Sequence, residues 1–111
     1  MKINTQNLTI TSPVSYLEMI WLIQKCKFLI SDSGGLQKEA FFLNTPCLIL
    51  REETEWVELV DKGANIIVGT KKEKILKNYK KLIKKKSKFL SSNIYGKGDS
   101  SKKIVTEIIK F

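Results

Sequence analysis

The chain has 111 residues, of which 42% are hydrophobic, and carries a formal net charge of +9. This length and composition suffice for one modest hydrophobic core and predict a single domain, or a part of one, over residues 1–111. The sequence shows no secretion signal and no apolar stretch near the ~20 residues that span a bilayer, so we expect a cytoplasmic protein with no membrane partner.

The positive charge is concentrated in residues 71–88, where ten lysines accompany a single acid, Glu73. Apolar residues recur there at helical spacing, which predicts an amphipathic helix with a basic, solvated face. Nucleic-acid recognition also requires groups that read bases, and the chain has only one arginine, Arg51. We therefore expect no nucleic-acid partner, although a non-enzymatic basic interaction module stays an alternative function.

The two cysteines, Cys26 and Cys47, are far apart and form no C-x-x-C pair, and the chain has no histidine to complete a mixed metal site. Both are therefore predicted to be reduced thiols of the core. We expect no metal site and no cofactor.

The first part of the chain predicts a strand, a helix and a second strand. Residues 8–10 are a candidate strand, and a helix is expected to begin around Pro13, after two hydroxyl residues, and to continue toward Cys26. Apolar residues nearly encircle this helix, which predicts burial on more than one side. Residues 27–31 contain an apolar run that is typical of a strand covered on both faces.

The remainder of the chain alternates between helices and short strands. The expected elements are a helix opening at Gly34 and closed by Asn44 and Thr45, a strand at 47–50, a short helix at 56–60 ended by Gly63, a strand at 64–68, a turn at 69–70, the lysine-rich helix from residue 71, a loop at 93–98 and an amphipathic helix at 100–110. This alternation predicts an α/β fold with a parallel sheet and helical crossovers.

The most informative stretch is the turn that joins the strand at 27–31 to the next helix. Ser33, Gly34 and Gly35 stand at the carboxyl end of that strand, where open α/β sheets bind ligands. Two glycines clear the approach path to the backbone amides at the positive end of the helix dipole, and a serine hydroxyl adds a donor, so the turn can bind phosphate. A tight connection without a ligand explains these residues equally well.

Glu39 follows Gly35 by four residues and so lies one turn deeper on the same helix face. Its carboxylate would repel phosphate but can accept both hydroxyl protons of a ribose. Phosphate donors followed by a diol acceptor suggest a nucleoside diphosphate as the ligand.

Several motifs, in order along nearly the whole chain, resemble those of one enzyme family. Residues 31–40 resemble D-S-G-G-x-Q-x-E-A, 43–48 resemble L-G-x-P-x-L, 50–55 resemble L-R-x-x-T-E, 63–70 resemble G-x-N-x-x-V-G-T and 93–98 resemble N-P-Y-G-D-G. These motifs belong to the non-hydrolysing UDP-N-acetylglucosamine 2-epimerases, and the chain resembles their carboxy-terminal portion.

The resemblance implies a Rossmann-like parallel sheet with flanking helices, as a partial carboxy-terminal lobe of a two-lobed, GT-B-like nucleotide-sugar enzyme. In the family, the residues that match Ser33, Gly35 and Glu39 bind the nucleotide, and Gly34 belongs to the same turn. Residues 13–17 resemble the family's segment beside the uracil. The implied ligand is a UDP-sugar.

Family members are thought to eliminate UDP and add it back with inversion at C2 of the sugar, which requires acids and bases near the sugar. The family's catalytic carboxylates and histidine lie upstream of the matching portion. Asp32 and Glu39 are assigned to the turn and the ribose, so we expect no catalytic residue in this chain and binding without turnover.

The chain departs from the best-known members at Trp56, which stands where those enzymes carry an arginine that touches the nucleotide sugar. The sequence T-E-W-V-E at residues 54–58 is more similar to relatives that epimerise other UDP-aminosugars, including diacetamido uronic acids. Packing of Trp56 on the sheet is an equal alternative.

A doubly wound strand order would leave this chain without the central first strand of its lobe. An apolar sheet edge is then exposed unless a separate chain that carries the amino-terminal lobe covers it. A homodimer is the alternative assembly. The alternative enzyme class is the donor-binding domain of a GT-B-type glycosyltransferase, which uses the same glycine turn and a ribose-binding glutamate.

Overall fold

The computed structural model describes residues 4–84 and 93–111. Helices and short strands alternate through the first of these ranges, and one further helix lies in the second. Their bounds are α1 Tyr16–Lys25, β1 Leu29–Ser31, α2 Gly34–Phe42, β2 Cys47–Ile49, α3 Val57–Asp61, β3 Asn65–Ile67, α4 Lys72–Lys84 and α5 Ser100–Ile109.

The three strands form a parallel sheet in the order β1-β2-β3, with Leu29 paired to Cys47 and Cys47 paired to Asn65. Parallel neighbours require a crossover, which α2 supplies between β1 and β2 and α3 supplies between β2 and β3. The predicted α/β architecture, a parallel sheet with flanking helices, is confirmed.

The central strand β2 is fully buried, and its side chains point alternately to the two faces of the sheet. Cys47 and Ile49 pack with Ile23 of α1 and Ala40 of α2 on one face. Leu48 points to the other face and packs with Val68 and with Leu82 of α4. Burial of this strand therefore holds helices on both sides of the sheet.

Helix α1 begins later than the sequence pattern around Pro13 predicted. Ser15 caps it, because the Ser15 hydroxyl accepts from the Glu18 amide while the Glu18 carboxylate accepts from the Ser15 amide at 2.7 Å. The Ser15 hydroxyl, which also donates to the Glu18 carboxylate at 2.7 Å, and the Ser15 amide lower the pKa of the exposed Glu18 carboxyl. The reciprocal cap fixes the first helical residue as Tyr16.

The prediction that α1 is buried on more than one side is wrong. Leu17 and Trp21 are 77% and 58% exposed, and Ile23 is the buried residue of this helix. Among the described elements, α2 is the helix that packs against α1, and it covers one side. Leu17 and Trp21 lie outside the contacts that α1 makes with α2 and β2.

The prediction of a strand at residues 8–10 is also wrong. So is the prediction that the strand after α1 is covered on both faces. Leu8 and Ile10 are 63% and 73% exposed and make no sheet pairing, and the outer edge of β1 has no neighbouring strand in the described ranges. Ile30 of β1 is 42% exposed. An isolated apolar strand forms no hydrogen-bond ladder, so residues 8–10 stay irregular.

The other predicted elements are confirmed to within one or two residues at their ends. Asn44 ends α2 with a φ of 57°, and Gly63 ends α3 with a φ of 69°. The amine of Lys27 donates to the carbonyl of Ile83 at 2.7 Å, which places a cation at the negative end of α4 beside the sheet. Lysines 85, 86 and 88 of the basic segment lie outside the described residues.

No helix within the described ranges is long and apolar enough to cross a bilayer. The longest of them, α4, has 13 residues and a basic face. The same ranges contain no cluster of three or more side chains that could hold a metal ion.

The buried position of Leu48 predicts a measurable stability difference between two matched substitutions. Leu48→Val removes one methylene from the core and should lower the free energy of unfolding by about 1 kcal/mol. Ile104→Val removes one methylene from a side chain that is 59% exposed and should change the free energy of unfolding by less than about 0.5 kcal/mol. Urea denaturation measures both, and equal losses would contradict this core.

Candidate functional site

Ser33 forms the junction between β1 and α2. Its hydroxyl caps the helix by accepting from the Leu36 amide at 3.5 Å, and its own amide donates to the Ser31 hydroxyl at 3.0 Å. A hydroxyl residue with extended backbone is well suited to this position because it satisfies an amide that the first helical turn leaves unpaired. The predicted strand, turn and helix at residues 31–40 are confirmed.

The two glycines after Ser33 have different surroundings. A β-carbon on Gly35 would meet only the Ser33 hydroxyl, at 4.0 Å, so this residue is open. A β-carbon on Gly34 would lie 2.0 Å from Oε1 of Glu55, so Gly34 is covered by that carboxylate. Gly35 is therefore open to a ligand, whereas the missing side chain of Gly34 lets residues 54–56 pack closely.

The backbone amides of Gly34 and Gly35 have no hydrogen-bond acceptor within residues 4–84 and 93–111. They belong to the first turn of a nine-residue helix, where amide groups lack intrahelical partners and the helix dipole is positive. Gly35 is exposed to solvent. This end of α2 can therefore donate hydrogen bonds to an anion.

The segment after β2 lies against the start of α2 and brings three contacts that sequence reasoning missed. The indole N–H of Trp56 donates to the Gly34 carbonyl at 2.9 Å. Glu55, which covers Gly34, is paired with Arg51 at 3.0 Å between Nη1 and Oε2. The motif matches at residues 31–40 and 50–55 mark both segments as family-like but give no bonding pattern between them.

Thr54 connects this segment to the buried Gln37. The Thr54 hydroxyl donates to Oε1 of Gln37 at 2.7 Å and accepts from the Trp56 amide at 3.1 Å. Gln37 is fully buried, so the glutamine of the first motif supports the turn from inside the fold. The Trp56 ring also packs against Phe41, Leu59 and Ala64 of the core, so its hydrogen bonds beside α2 are made in addition to packing.

Glu39 lies one turn after Gly35 on α2 and is partly buried. Its carboxylate acts on the Tyr16 hydroxyl as a hydrogen-bond acceptor and as a negative charge, and it raises the pKa of Tyr16 above the usual value. The start of α1, within the segment that resembles the family's uracil-side motif, is thus brought to the same helix face as Gly35 and Glu39.

An aromatic cluster lies beside α2, where the loop at residues 93–98 meets it. Tyr95, from the loop at residues 93–98, makes edge contacts with the rings of Phe41 and Trp56. The ammonium group of Lys38 lies 4.2 Å from the Trp56 ring centroid and 4.3 Å from that of Tyr95. The loop with the last family-like motif therefore packs onto the helix that carries the glycine turn.

The Tyr95 hydroxyl donates to a carboxylate oxygen of Glu58 in α3. Burial, followed by this hydrogen bond, raises the pKa of Tyr95, and the same bond lowers the pKa of Glu58. The cluster is thus joined to α3 by one polar contact.

The cysteines contribute no chemistry to this region. Cys47 is buried in β2, and burial raises the pKa of its thiol to about 12, so the thiolate is scarce at neutral pH. The structure records no disulfide at Cys26 or Cys47, and of the two thiols Cys47 lies in the core while Cys26 is half-buried.

A family model described as UDP-N-acetylglucosamine 2-epimerase matches residues 1–109. The chain belongs to this family. Its fold and the order of its motifs agree with that membership.

Two relatives illustrate the similarity in sequence. A UDP-N-acetylglucosamine 2-epimerase homolog of Methanococcus maripaludis is 51% identical over 92% of this chain and 28% of its own length. The UDP-2,3-diacetamido-2,3-dideoxy-D-glucuronate 2-epimerase of Pseudomonas aeruginosa is 43% identical over 91% of this chain and 28% of its own length. The chain therefore spans less than a third of the length of these relatives.

Solved structures show the same correspondence. The Methanocaldococcus jannaschii UDP-GlcNAc 2-epimerase, in complex with UDP-GlcNAc and UDP, superposes with a TM-score of 0.82 at 38% identity over 96% of this chain and 30% of that one. The Neisseria meningitidis UDP-GlcNAc 2-epimerase, bound to UDP-GlcNAc, gives a TM-score of 0.75 at 36% identity over 91% of this chain and 29% of that one. The chain thus adopts part of the fold of GT-B-type 2-epimerases.

The Tyr95 contact predicts a pH-dependent difference in stability. Tyr95→Phe keeps the ring but removes the hydrogen bond that is the main cause of the lowered pKa of Glu58. A lowered carboxyl pKa adds stability that is fully present above the unfolded-state value and is lost as the pH falls through the folded-state value. The urea midpoint of the unaltered chain should exceed that of the variant at pH 7, and the difference between the two midpoints should narrow as the pH falls through the lowered pKa of Glu58.

Tyr79→Phe is the matched control, because the Tyr79 ring packs on Phe28 in a different part of the fold. We expect its urea midpoint to run parallel to that of the unaltered chain across the same pH range. A gap for Tyr95→Phe that stays constant down to pH 3 would contradict the Tyr95 to Glu58 bond.

Proposed function

We propose that this chain is a partial domain that binds the UDP moiety of a UDP-aminosugar for C2 epimerisation. The observation that carries the proposal is the start of α2, where the open Gly35 amide lies one helical turn before the carboxylate of Glu39. The solved relatives that contain UDP or UDP-GlcNAc have the same fold in the matching portion, which supports this assignment.

The diphosphate is assigned to the first turn of α2. Ser33 would offer its hydroxyl, and Gly34 and Gly35 would offer backbone amides that lack acceptors in the described part of the chain. Such a site stabilises an anion through the helix dipole and through several parallel hydrogen bonds. The open space beside Gly35 lets a phosphate approach the backbone, which a larger side chain would prevent.

The ribose is assigned to Glu39. A carboxylate can accept from two adjacent hydroxyl groups at once, and Glu39 is partly buried, so its hydrogen bonds face less competition from water. The Tyr16 hydroxyl, beside Glu39, would form the edge of the same subsite. This arrangement orders the ligand with its phosphates at the turn and its sugar ring along the helix.

Turnover is assigned to a companion polypeptide that carries the amino-terminal lobe. Elimination and re-addition of UDP need acids and bases within hydrogen-bond reach of the reacting sugar, and this chain has no histidine. The exposed apolar groove on α1 is the proposed contact surface, because such surfaces are usually covered in a functional assembly. Its lining residues are Thr11, Val14, Leu17, Glu18, Trp21 and Leu22.

The sugar is assigned to the class of UDP-aminosugars with two acetamido groups and a carboxylate. Trp56 stands where the resemblance places an arginine in UDP-N-acetylglucosamine enzymes, and the P. aeruginosa relative at 43% identity is named for a diacetamido uronic acid. UDP-N-acetylglucosamine is the alternative substrate, favoured by the names of the solved relatives.

The assignment of Glu39 predicts a preference for ribose over deoxyribose. The unaltered chain should bind UDP about tenfold more tightly than 2′-deoxy-UDP, because a hydrogen bond to a charged acceptor is lost. Glu39→Gln should reduce this preference, and Glu107→Gln on the exposed surface of α5 should retain it. Calorimetry at millimolar nucleotide measures the ratio of the affinities for UDP and 2′-deoxy-UDP. Absence of heat with UDP would contradict the proposed function.

The companion lobe predicts complementation between two chains. The 111-residue chain and the separately produced amino-terminal lobe of the P. aeruginosa relative should each fail to epimerise a UDP-diacetamido uronic acid, and their mixture should convert it. Trp21→Asp should abolish the activity of the mixture but leave UDP binding to the chain intact. Transfer of the sugar to an acceptor instead of epimerisation would favour a glycosyltransferase.

A further inference from the structure

Trp56 makes a contact that packing of an aromatic ring does not require. Its indole N–H reaches across 22 residues of sequence to the carbonyl of Gly34, at 2.9 Å, in the first turn of α2. The residues on either side of this contact bear on the same turn, because Glu55 covers Gly34 and Thr54 is bonded to Gln37. Residues 54–56 thus contact the glycine turn and the helix that it begins.

The carbonyl of Gly34 and the amide N–H of Gly35 belong to one planar peptide group. No cis peptide bond occurs in the described ranges, and in a trans peptide the C=O and N–H bonds point in opposite directions. A donor that fixes the Gly34 oxygen therefore also fixes the direction of the Gly35 N–H. It polarises the group as well, which makes that N–H a stronger donor.

This restraint matters because two consecutive glycines have unusual backbone freedom. The hydrogen bonds of α2 orient the peptide between them, and because it carries no β-carbon on either side, side-chain packing adds little to that orientation. The Ser33 hydroxyl is bonded to the Leu36 amide, not to the Gly34–Gly35 peptide. Among the described side chains, the Trp56 indole is the hydrogen-bond donor to this peptide group.

The indole itself is held in place from several directions. The Trp56 amide donates to the Thr54 hydroxyl at 3.1 Å, the Lys38 ammonium lies over the ring, and the Tyr95 ring meets it edge-on with centroids 6.5 Å apart. These contacts come from α2 itself and from the loop at residues 93–98. The donor therefore has a fixed position relative to the peptide that it bonds.

We infer that Trp56 is a positioning residue that orients and polarises the Gly34–Gly35 peptide so that the Gly35 N–H is aimed at the diphosphate of the ligand. The inference rests on the proposed function, since it concerns the same anion site. It assigns to tryptophan at this position a role that depends on its N–H donor. A phenylalanine could fill the same space between Lys38 and Tyr95 but could not donate.

The test is Trp56→Phe in the 111-residue chain, with Tyr79→Phe as the control, because the Tyr79 ring packs on Phe28 in a different part of the fold. Nuclear magnetic resonance would follow the Gly35 amide proton in the free chain and then during titrations with UDP and with uridine. In Trp56→Phe the Gly35 proton should shift to lower frequency, and UDP affinity should fall about fivefold while uridine affinity stays the same. Tyr79→Phe should match the unaltered chain in all three readings.

The outcomes separate this inference from the proposed function. If the unaltered chain binds UDP and Trp56→Phe has the same Gly35 shift and UDP affinity, the positioning role is wrong and the UDP site stands. Equal losses for UDP and uridine would mean that Trp56 only supports the fold, which also overturns the inference. If the unaltered chain does not respond to millimolar UDP, the proposed function fails and this inference fails with it.

Discussion

Burial of the central strand β2 between two parallel neighbours is the constraint on which the rest of the structure depends. Parallel pairing forces each connection to cross over the sheet, so the carboxyl ends of the strands lie at one edge. The turn after β1 and the segment after β2 must therefore meet there. The bond between Trp56 and Gly34 is a consequence of this topology, since their separation of 22 residues gives no local reason for contact.

Much of the fold could be predicted because its signals are local. The strand at residues 47–49 is a short apolar run after a proline, and the helix at residues 34–42 follows a serine cap and begins with two glycines. Gly63 ends α3 in the left-handed conformation that glycine adopts readily. Each of these features is determined by residues within a few positions of one another, so a reading of the sequence finds them.

The features that the sequence did not predict depend on distant partners or on competing caps. Ser15 and Glu18 displaced the expected helix start because both bonds of the reciprocal cap form together. Burial of α1 was overestimated because apolar character indicates a surface that can be covered, not the element that covers it. The different surroundings of Gly34 and Gly35 depend on Glu55, which is twenty residues further along the chain.

The ion pair between Arg51 and Glu55 sets the charge balance next to the glycine turn. Glu55 brings a full negative charge against Gly34, close to amides that are suited to an anion, and Arg51 compensates it at 3.0 Å. Both side chains are partly exposed, at 39% and 46%, so salt weakens the compensation only in part. Neutralising either partner changes the net charge beside the turn by one unit, with opposite signs for the two residues. The potential at the turn changes accordingly, although neither side chain needs to touch a ligand.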